Sequence, residues 1–424
     1  MEFYRGIILN PIENFNIEYF QDGLMAVDKG KIQFCGEYKI GLKNFQKAKE
    51  ITRTKQLIIP GLIDLHTHLP QFPAIGKGEG ELLPWLNNYI FPLEEKFNNP
   101  IFARKVSKRF FKKLKENGTT TAVIFSNSSF ESTDIIFQEA KKSGVRVFIG
   151  NSLMDINAPH NLIYSIKTNI SNMNKLIEKW HFRDDGRLNF IVSPRYAGSC
   201  STELMKEAAK ITKQNDLFIQ THLAENQDEI KFIRSTHSFK GSYTELLFDC
   251  GIINSKSLLA HCIYLNEKEL DIIKQNNASI VHCPTSNRYL QSGIMPFKKY
   301  QNKNLKIGLG TDIAGGYNLS ILQESKEAIE NSKYYRLYLD KTSQILTKQE
   351  AFWISTLGNA KILKMDNIIG SLSVGKEADF ILFNPEFNNI KEFKNTDEIL
   401  SELIYSDSFK IKNVAVRGKM IYKS

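Results

Sequence analysis

Cysteine is scarce, with five in 424 residues: Cys35, Cys200, Cys250, Cys262 and Cys283. An odd, scattered set with no C-x-x-C excludes a disulfide framework and fits reduced thiols in a cytoplasm. No apolar run approaches the roughly 20 residues of a membrane span. The start, Met1 to Gly6, lacks a basic region followed by an apolar core, so no signal peptide is expected. Long polar tracts are missing too, and with 42% hydrophobic and 24% charged residues the composition is globular. At 424 residues the chain is long for one compact core, which predicts two structural units.

What is present in excess is positive charge, a net +10. A basic balance raises nucleic acid and anionic membranes as partners. The densest run, Arg104 to Lys115, sets Phe102, Val106, Phe110 and Leu114 at helical spacing. It predicts an amphipathic helix with a solvated basic face. Lysine and asparagine are spread along the whole chain and no RNA-binding motif occurs. The charge is therefore compositional, and neither a nucleic-acid nor a membrane partner is expected.

Short alternating pieces at Gly6–Leu9, Gly23–Val27 and Lys31–Phe34 predict a small antiparallel sheet near the N-terminus. The tract through Asp379–Phe383 and the run Val414–Tyr422 answer it at the other end. Between them eight apolar, β-branched runs occur: Leu57–His68, Thr119–Phe125, Val145–Asn151, Leu188–Pro194, Leu217–His222, Ser257–His261, Ala278–His282 and Leu305–Asp312. Helical stretches separate most neighbours: Glu131–Lys142, Leu162–Trp180, Thr202–Lys213, Asp228–Thr236 and Glu267–Gln275. The predicted class is α/β. A (β/α)8 TIM-type barrel spans 59–369, and a small β-sandwich domain is built from both termini, 1–58 and 370–424.

Active sites of such barrels lie at the strand C-terminal ends. Six of the eight runs close there on chemistry-bearing residues: His66 and His68, Arg195, His222, His261, His282 and Asp312. Side chains two apart on a strand share a face, so His66 and His68 project together, as does Asp64. Alone, that pair fits two hydrogen-bonded structural histidines as well as a metal grip. With His222, His261 and Asp312 added, the donors are imidazole and carboxylate, which suit zinc or ferrous iron. Three histidines and one aspartate leave room for one water. Glu225, just past His222, is placed either as a proton shuttle or as a loop carboxylate at a helix start. Cys262 and Cys283 follow strand-end histidines and are expected as buried thiols on the opposite face.

The run Pro60-Gly61-Leu62-Ile63-Asp64-Leu65-His66-Thr67-His68, with His222, His261 and Asp312 each on its own strand, resembles the amidohydrolase superfamily. Further segments narrow the resemblance to the guanine deaminases along nearly the whole chain. They are Pro70-Gln71-Phe72, Leu83 to Glu94, Asn117 to Thr121, Ser193-Pro194-Arg195-Tyr196, His222 to Asn226, His282 to Asn287 and Gly310 to Tyr317. Gln71, the Ser-Pro-Arg-Tyr run and Asp312-Ile-Ala-Gly-Gly carry the guanine branch. Some superfamily members bridge two metals with a carboxylated lysine closing strand four. Here that strand ends in Arg195, which cannot fill the role, so one metal is expected. The H-x-E and P-C-x-x-C pattern of other zinc nucleobase deaminases is absent.

The resemblance implies hydrolytic deamination of guanine to xanthine and ammonia in a cytoplasmic homodimer. One zinc ion per subunit, with iron as the alternative, would be held by His66, His68, His222 and Asp312. An activated water would attack C2 of the purine. Glu225 would protonate N3, Asp312 would take the water's proton and pass it to the leaving amine, and His261 would hydrogen-bond the hydroxide. Gln71, Arg195 and Tyr196 would hold the substrate with His222, Glu225 and His261; Arg195 would suit the O6 carbonyl, with a barrel-end ion pair as the alternative. His282 is expected behind the site. Trp85 is expected either to roof the pocket or to pack a helix. Rival readings are another mononuclear deaminase or chlorohydrolase acting on a related purine, nucleoside or triazine, and a silent relative serving as a scaffold.

Overall fold

A computed structural model describes residues 1–45, 47–52, 56–78, 80–385, 393, 395–406 and 408–424. Five strands open the chain: β1 (Glu2–Pro11), β2 (Ile17–Asp28), β3 (Lys31–Glu37), β4 (Lys49–Thr52) and β5 (Leu57–Pro60). The run expected as one strand, Leu57–His68, breaks at Gly61. Pro60 has no N–H to extend a ladder. Gly61 N donates instead to Asp379 O at 2.9 Å, and a Cβ at Gly61 would come within 2.1 Å of Thr120 Oγ1. The chain thus leaves the terminal sheet at Pro60 and begins the central one at Leu62.

Ten further strands follow: β6 (Leu62–His68), β7 (Thr119–Phe125), β8 (Arg146–Gly150), β9 (Ser152–Leu153), β10 (Leu188–Phe190), β11 (Ser193–Pro194), β12 (Ile219–Leu223), β13 (Ser257–His261), β14 (Ser279–His282) and β15 (Lys306–Leu309). They form two four-stranded parallel sheets, in the orders β10-β8-β7-β6 and β12-β13-β14-β15, with β11 paired to β9. Two seams join these sheets. Val192 bridges Ile219 in parallel. At the other seam Asp312 N donates to His66 O at 2.8 Å, and Thr311 N to Asp64 Oδ1 at 3.0 Å. Gly310 permits that approach, because a Cβ there would meet the His66 backbone N at 2.8 Å.

Helices lie between the strands near the expected positions. The helix Pro100–Glu116 buries Val106, Phe110 and Leu114 and presents its basic face outward. Ile166–Trp180 begins four residues later than the periodicity suggests, because the Ser165 side chain accepts from Thr168 N and caps it. On β6, Ile63 and Leu65 pack with Val123, Phe148, Ile191, Leu258 and Val281. Each such side chain contributes about 1.5–3 kcal/mol by leaving water. The β6–β7 register shifts between Asp64 and Thr67, so simple alternation does not carry through to His66 and His68. Asp64, expected beside them, instead accepts from His66 N, Thr311 N and Thr311 Oγ1.

The last strands, β16 (Phe380–Pro385), β17 (Phe409–Val416) and β18 (Lys419–Lys423), return to the first sheet. Strands from both termini form one eight-stranded sheet, ordered β18-β17-β16-β5-β1-β2-β3 with β4 beside β1. Among the described residues no helix is long and apolar enough to cross a membrane.

Candidate active site

Donors from four strand ends converge. One ligand atom from each of His66, His222, His261 and Asp312 lies within 4.8 Å of the others. His68 joins them: its Nε2 stands 3.2 Å from His66 Nε2, 3.1 Å from His222 Nε2 and 3.2 Å from Asp312 Oδ1. His66 Nε2 is also 3.2 Å from Asp312 Oδ1. The ring orientations follow from the far nitrogens. His222 Nδ1 lies 2.6 Å from Arg195 O, a carbonyl that only accepts, so Nδ1 carries the proton and Nε2 turns a lone pair inward. His261 Nδ1 is held 2.7 Å from Asn287 Oδ1 in the same manner.

This donor set fits a metal ion. The Nε2 atoms of His66 and His68 crowd against Asp312 Oδ1 and that of His222 crowds against His68 Nε2, and a shared cation relieves the repulsion. His261 Nε2 is buried with no hydrogen-bond partner among the described residues. Protonation supports the fit. Burial lowers the pKa of His66, takes His68 down to about 3 and takes His222 well below the ordinary value. All three are therefore neutral ligands at pH 7. Burial works to raise the Asp312 carboxyl, but the close approach of His66 and His68 outweighs it and keeps its pKa far down.

Glu225 and His261 form the acid-base pair beside the cluster, with His261 Nε2 3.4 Å from Glu225 Oε2 and 3.7 Å from Asp312 Oδ2. Burial raises the Glu225 pKa against the pull of His261. Burial lowers that of His261, but the carboxylates of Glu225 and Asp312 more than offset this and raise it. A carboxyl group that retains a proton more readily beside a metal-binding set has the makings of a general acid. It is held firmly. Ser292 Oγ donates to Glu225 Oε1 at 3.1 Å, and the Glu225 backbone N donates to Glu229 Oε2 at 2.8 Å. Backbone strain gathers here as well: Ala224, His261, Cys262 and Asp312 all adopt left-handed φ values, from 45° to 71°. Each costs on the order of 1–3 kcal/mol and persists only where surrounding contacts impose it.

Above the donors opens a pocket enclosing about 400 Å³ of non-atom space, part of it open to solvent. Polar groups reach it from His68, Gln71, Arg195, Tyr196, His222, Glu225 and Asp312, while Leu82, Trp85, Leu86 and Leu290 supply apolar walls. Trp85 does both things expected of it. It is buried, its indole N–H donates to Lys77 O at 2.8 Å, and its ring lines the pocket. The structure brings together Gln71, Arg195, Tyr196, His222, Glu225 and Asp312 around the pocket. His282 lies outside it, buried with its ring against Phe297. Cys262 and Cys283 are buried thiols.

Sequence reasoning assigned no role to Glu94, Ser286, Asn287 or Ser292. Glu94 accepts from Arg195 Nη1 on both oxygens, at 2.9 and 2.6 Å, and from Gln71 Nε2 at 3.3 Å. Ser286 Oγ donates to Asp312 Oδ2 at 2.6 Å. The short polar run after His282, Thr285-Ser286-Asn287, was the available signal. It starts a helix at the strand end, where side chains turn toward the site.

The chain matches the amidohydrolase family over residues 57–421. It is 34% identical over 415 residues to the guanine deaminase of Escherichia coli (strain K12), covering 96% of this chain and 92% of that one. To the guanine deaminase of Homo sapiens it is 34% identical over 429 residues, covering 99% and 92%. Among solved structures, guanine deaminase from C. acetobutylicum with bound guanine in the active site superposes with a TM-score of 0.93. The identity there is 33%, over 99% of this chain and 100% of that one.

Proposed function

The chain belongs to the amidohydrolase family and, within it, to the guanine deaminases, and from that premise we propose that it hydrolyses guanine to xanthine and ammonia. The observation that carries the reading is a buried imidazole–carboxylate cluster directly beneath a pocket whose polar walls are Gln71 and Arg195.

The proposed ion is zinc, one per subunit, held by His66, His68, His222 and Asp312; the same donors accept ferrous iron. When bound, it supplies Lewis-acid activation that brings the pKa of a water toward neutrality. The chain's own groups do the rest. Glu225 delivers a proton to N3 as water adds to C2 and the carbon becomes tetrahedral. Asp312 takes a proton from that water and passes it toward the departing amine. The C2–N bond breaks, ammonia leaves, and the remaining hydroxyl proton passes to Glu225, restoring the acid, as C2 becomes the second carbonyl of xanthine. His261 hydrogen-bonds the attacking oxygen from its place between Glu225 and Asp312. Gln71, Arg195 and Tyr196 hold the purine, and Leu82, Trp85 and Leu86 keep bulk water from its faces.

The two parallel sheets joined at both seams support closure as a (β/α)8 TIM-type barrel, with all donors at one rim. The terminal sheet supports a small β-sandwich. Tyr4, Met25 and Ile32 share one apolar cluster with Phe380, Leu382 and Ala415, so the two ends of the sheet fold toward each other. We place the division between the two units at Gly61. Exposed Tyr334, Leu337, Tyr338 and Leu339 form an apolar stretch that a second copy in a homodimer would cover, and five free cysteines fit a reducing cytoplasm.

Ammonia release from a panel of purines and pyrimidines, with metal analysis of the same sample, tests the reaction. Guanine is the expected substrate and adenine a poor one. No release from guanine by metal-replete protein overturns the reading.

A further inference from the structure

We propose that Glu94 is a positioning residue that fixes Arg195 and Gln71 as one rigid edge reading the 6-oxo side of a purine. The proposal rests on the guanine reading above and adds the origin of its selectivity.

Glu94 reaches the pocket wall from the short helix Phe91–Glu95, on the long connection after β6. Its backbone is anchored, since Asn127 Nδ2 donates to Glu94 O at 2.8 Å. Its carboxylate and the Arg195 guanidinium are both nearly inaccessible, with side-chain exposures of 2% and 3%. Such a pair is costly to desolvate and rarely adds net stability. Its presence in a pocket wall therefore calls for a reason beyond folding.

The reason lies in what remains free. A guanidinium carries five N–H donors, and Nη1 holds only two of them. Glu94 is bonded through Nη1 alone, which leaves at least three donors outside the pair. Phe91 backs the guanidinium, its ring centroid 5.2 Å from Cζ, and limits its rotation. Gln71 is fixed at both ends. Its Nε2 donates to Glu94 Oε1 at 3.3 Å and its Oε1 accepts from Ala314 N at 3.3 Å. Two independent partners settle which end is oxygen, and each end keeps capacity for one further bond.

Charge makes the second argument. An unpaired Arg195 would present a full cation to the pocket and favour an anion such as a carboxylate. Paired with Glu94, the arginine offers donors without net charge. That combination suits a neutral ligand bearing a carbonyl acceptor, and a 6-oxo purine has one. A 6-amino group meets the same donors with N–H and leaves them unsatisfied.

The test is direct binding to metal-loaded protein by calorimetry, using hypoxanthine (6-oxo, no 2-amino group) and unsubstituted purine. In Glu94→Gln the hypoxanthine affinity should fall about 10- to 100-fold, the scale of one or two hydrogen bonds to a charged group, while purine affinity stays unchanged. The KM for guanine should rise more than kcat falls. Parallel weakening of both ligands means a merely structural role and overturns the proposal, as does no change in either. If Glu94→Gln does not fold, Glu94→Asp carries the same comparison, with selective loss of hypoxanthine supporting it and equal loss overturning it. Wild-type protein that binds purine as tightly as hypoxanthine also overturns it. Absence of ammonia release from guanine is a separate result that overturns the reaction itself.

Discussion

Ser286 and Asp312 are joined by a 2.6 Å hydrogen bond from Oγ to Oδ2, on the carboxylate oxygen opposite the one that meets His66 and His68. The serine thereby orients Asp312 and leaves Oδ1 to the donor cluster. Partners of this kind, one step behind the ligands, typically account for 10- to 100-fold in metal affinity or activity. Ser286→Ala should lower kcat by about that factor with the fold intact. Steady-state kinetics and a chelator-competition titration of metal affinity check it; unchanged values for both would show that Asp312 needs no such support.

Glu225 contacts both Ser292 and His261 and is buried, so a neutral isostere fits without repacking. Glu225→Gln should reduce kcat by roughly 10²- to 10⁴-fold, the usual worth of a general acid-base group, while metal content by elemental analysis stays at the wild-type level. Loss of metal in this variant would move Glu225 from proton transfer to metal retention.

Removal of the ion should abolish ammonia release and lower the melting temperature together. Without a cation the crowded Nε2 atoms of His66, His68 and His222 and the Asp312 carboxylate repel one another, and a ligand that binds only the folded state stabilises it. Dialysis against a chelator, followed by a melt and then zinc add-back, checks this. A melting temperature insensitive to the chelator would mean that the donors are self-supporting.

His282 gives a pH signature of its own. Burial depresses its pKa to about 3, against an unfolded value near 6.5. The folded state therefore binds fewer protons than the unfolded one between these values, and stability falls as pH drops. The expected loss is about 1.4 kcal/mol for each pH unit crossed below roughly 6.5. His282→Gln should flatten the decline in unfolding free energy between pH 6.5 and 4 relative to wild type. Equal slopes in chemical denaturation series would show that folding leaves the His282 pKa unshifted.

The donor residues were legible because strand periodicity is local. His66 and His68 share a face in any extended strand, and Thr119–Phe125 and Ser257–His261 are strands at the expected bounds. Where reading failed, the deciding contacts were distant. The break at Gly61 depends on Asp379 and Thr120, which no local pattern connects to it. Arg195 was expected to offer its donors to the O6 carbonyl, but its partner was not legible: its Nη1 is taken up by Glu94, 101 residues away in the chain.

The sequence by itself determined the chemical inventory and its orientation along each strand: imidazoles and a carboxylate at strand ends, with Glu225 following His222. These are properties of a few consecutive residues and of the alternation that β geometry imposes. Only the tertiary structure decided which groups meet across the rim, setting Ser286 on Asp312, Asn287 on His261 and Glu94 on Arg195 and Gln71. Such pairings arise when packing brings separate connections together and buried polar groups must find partners there. Neither their identity nor their geometry is encoded in local spacing.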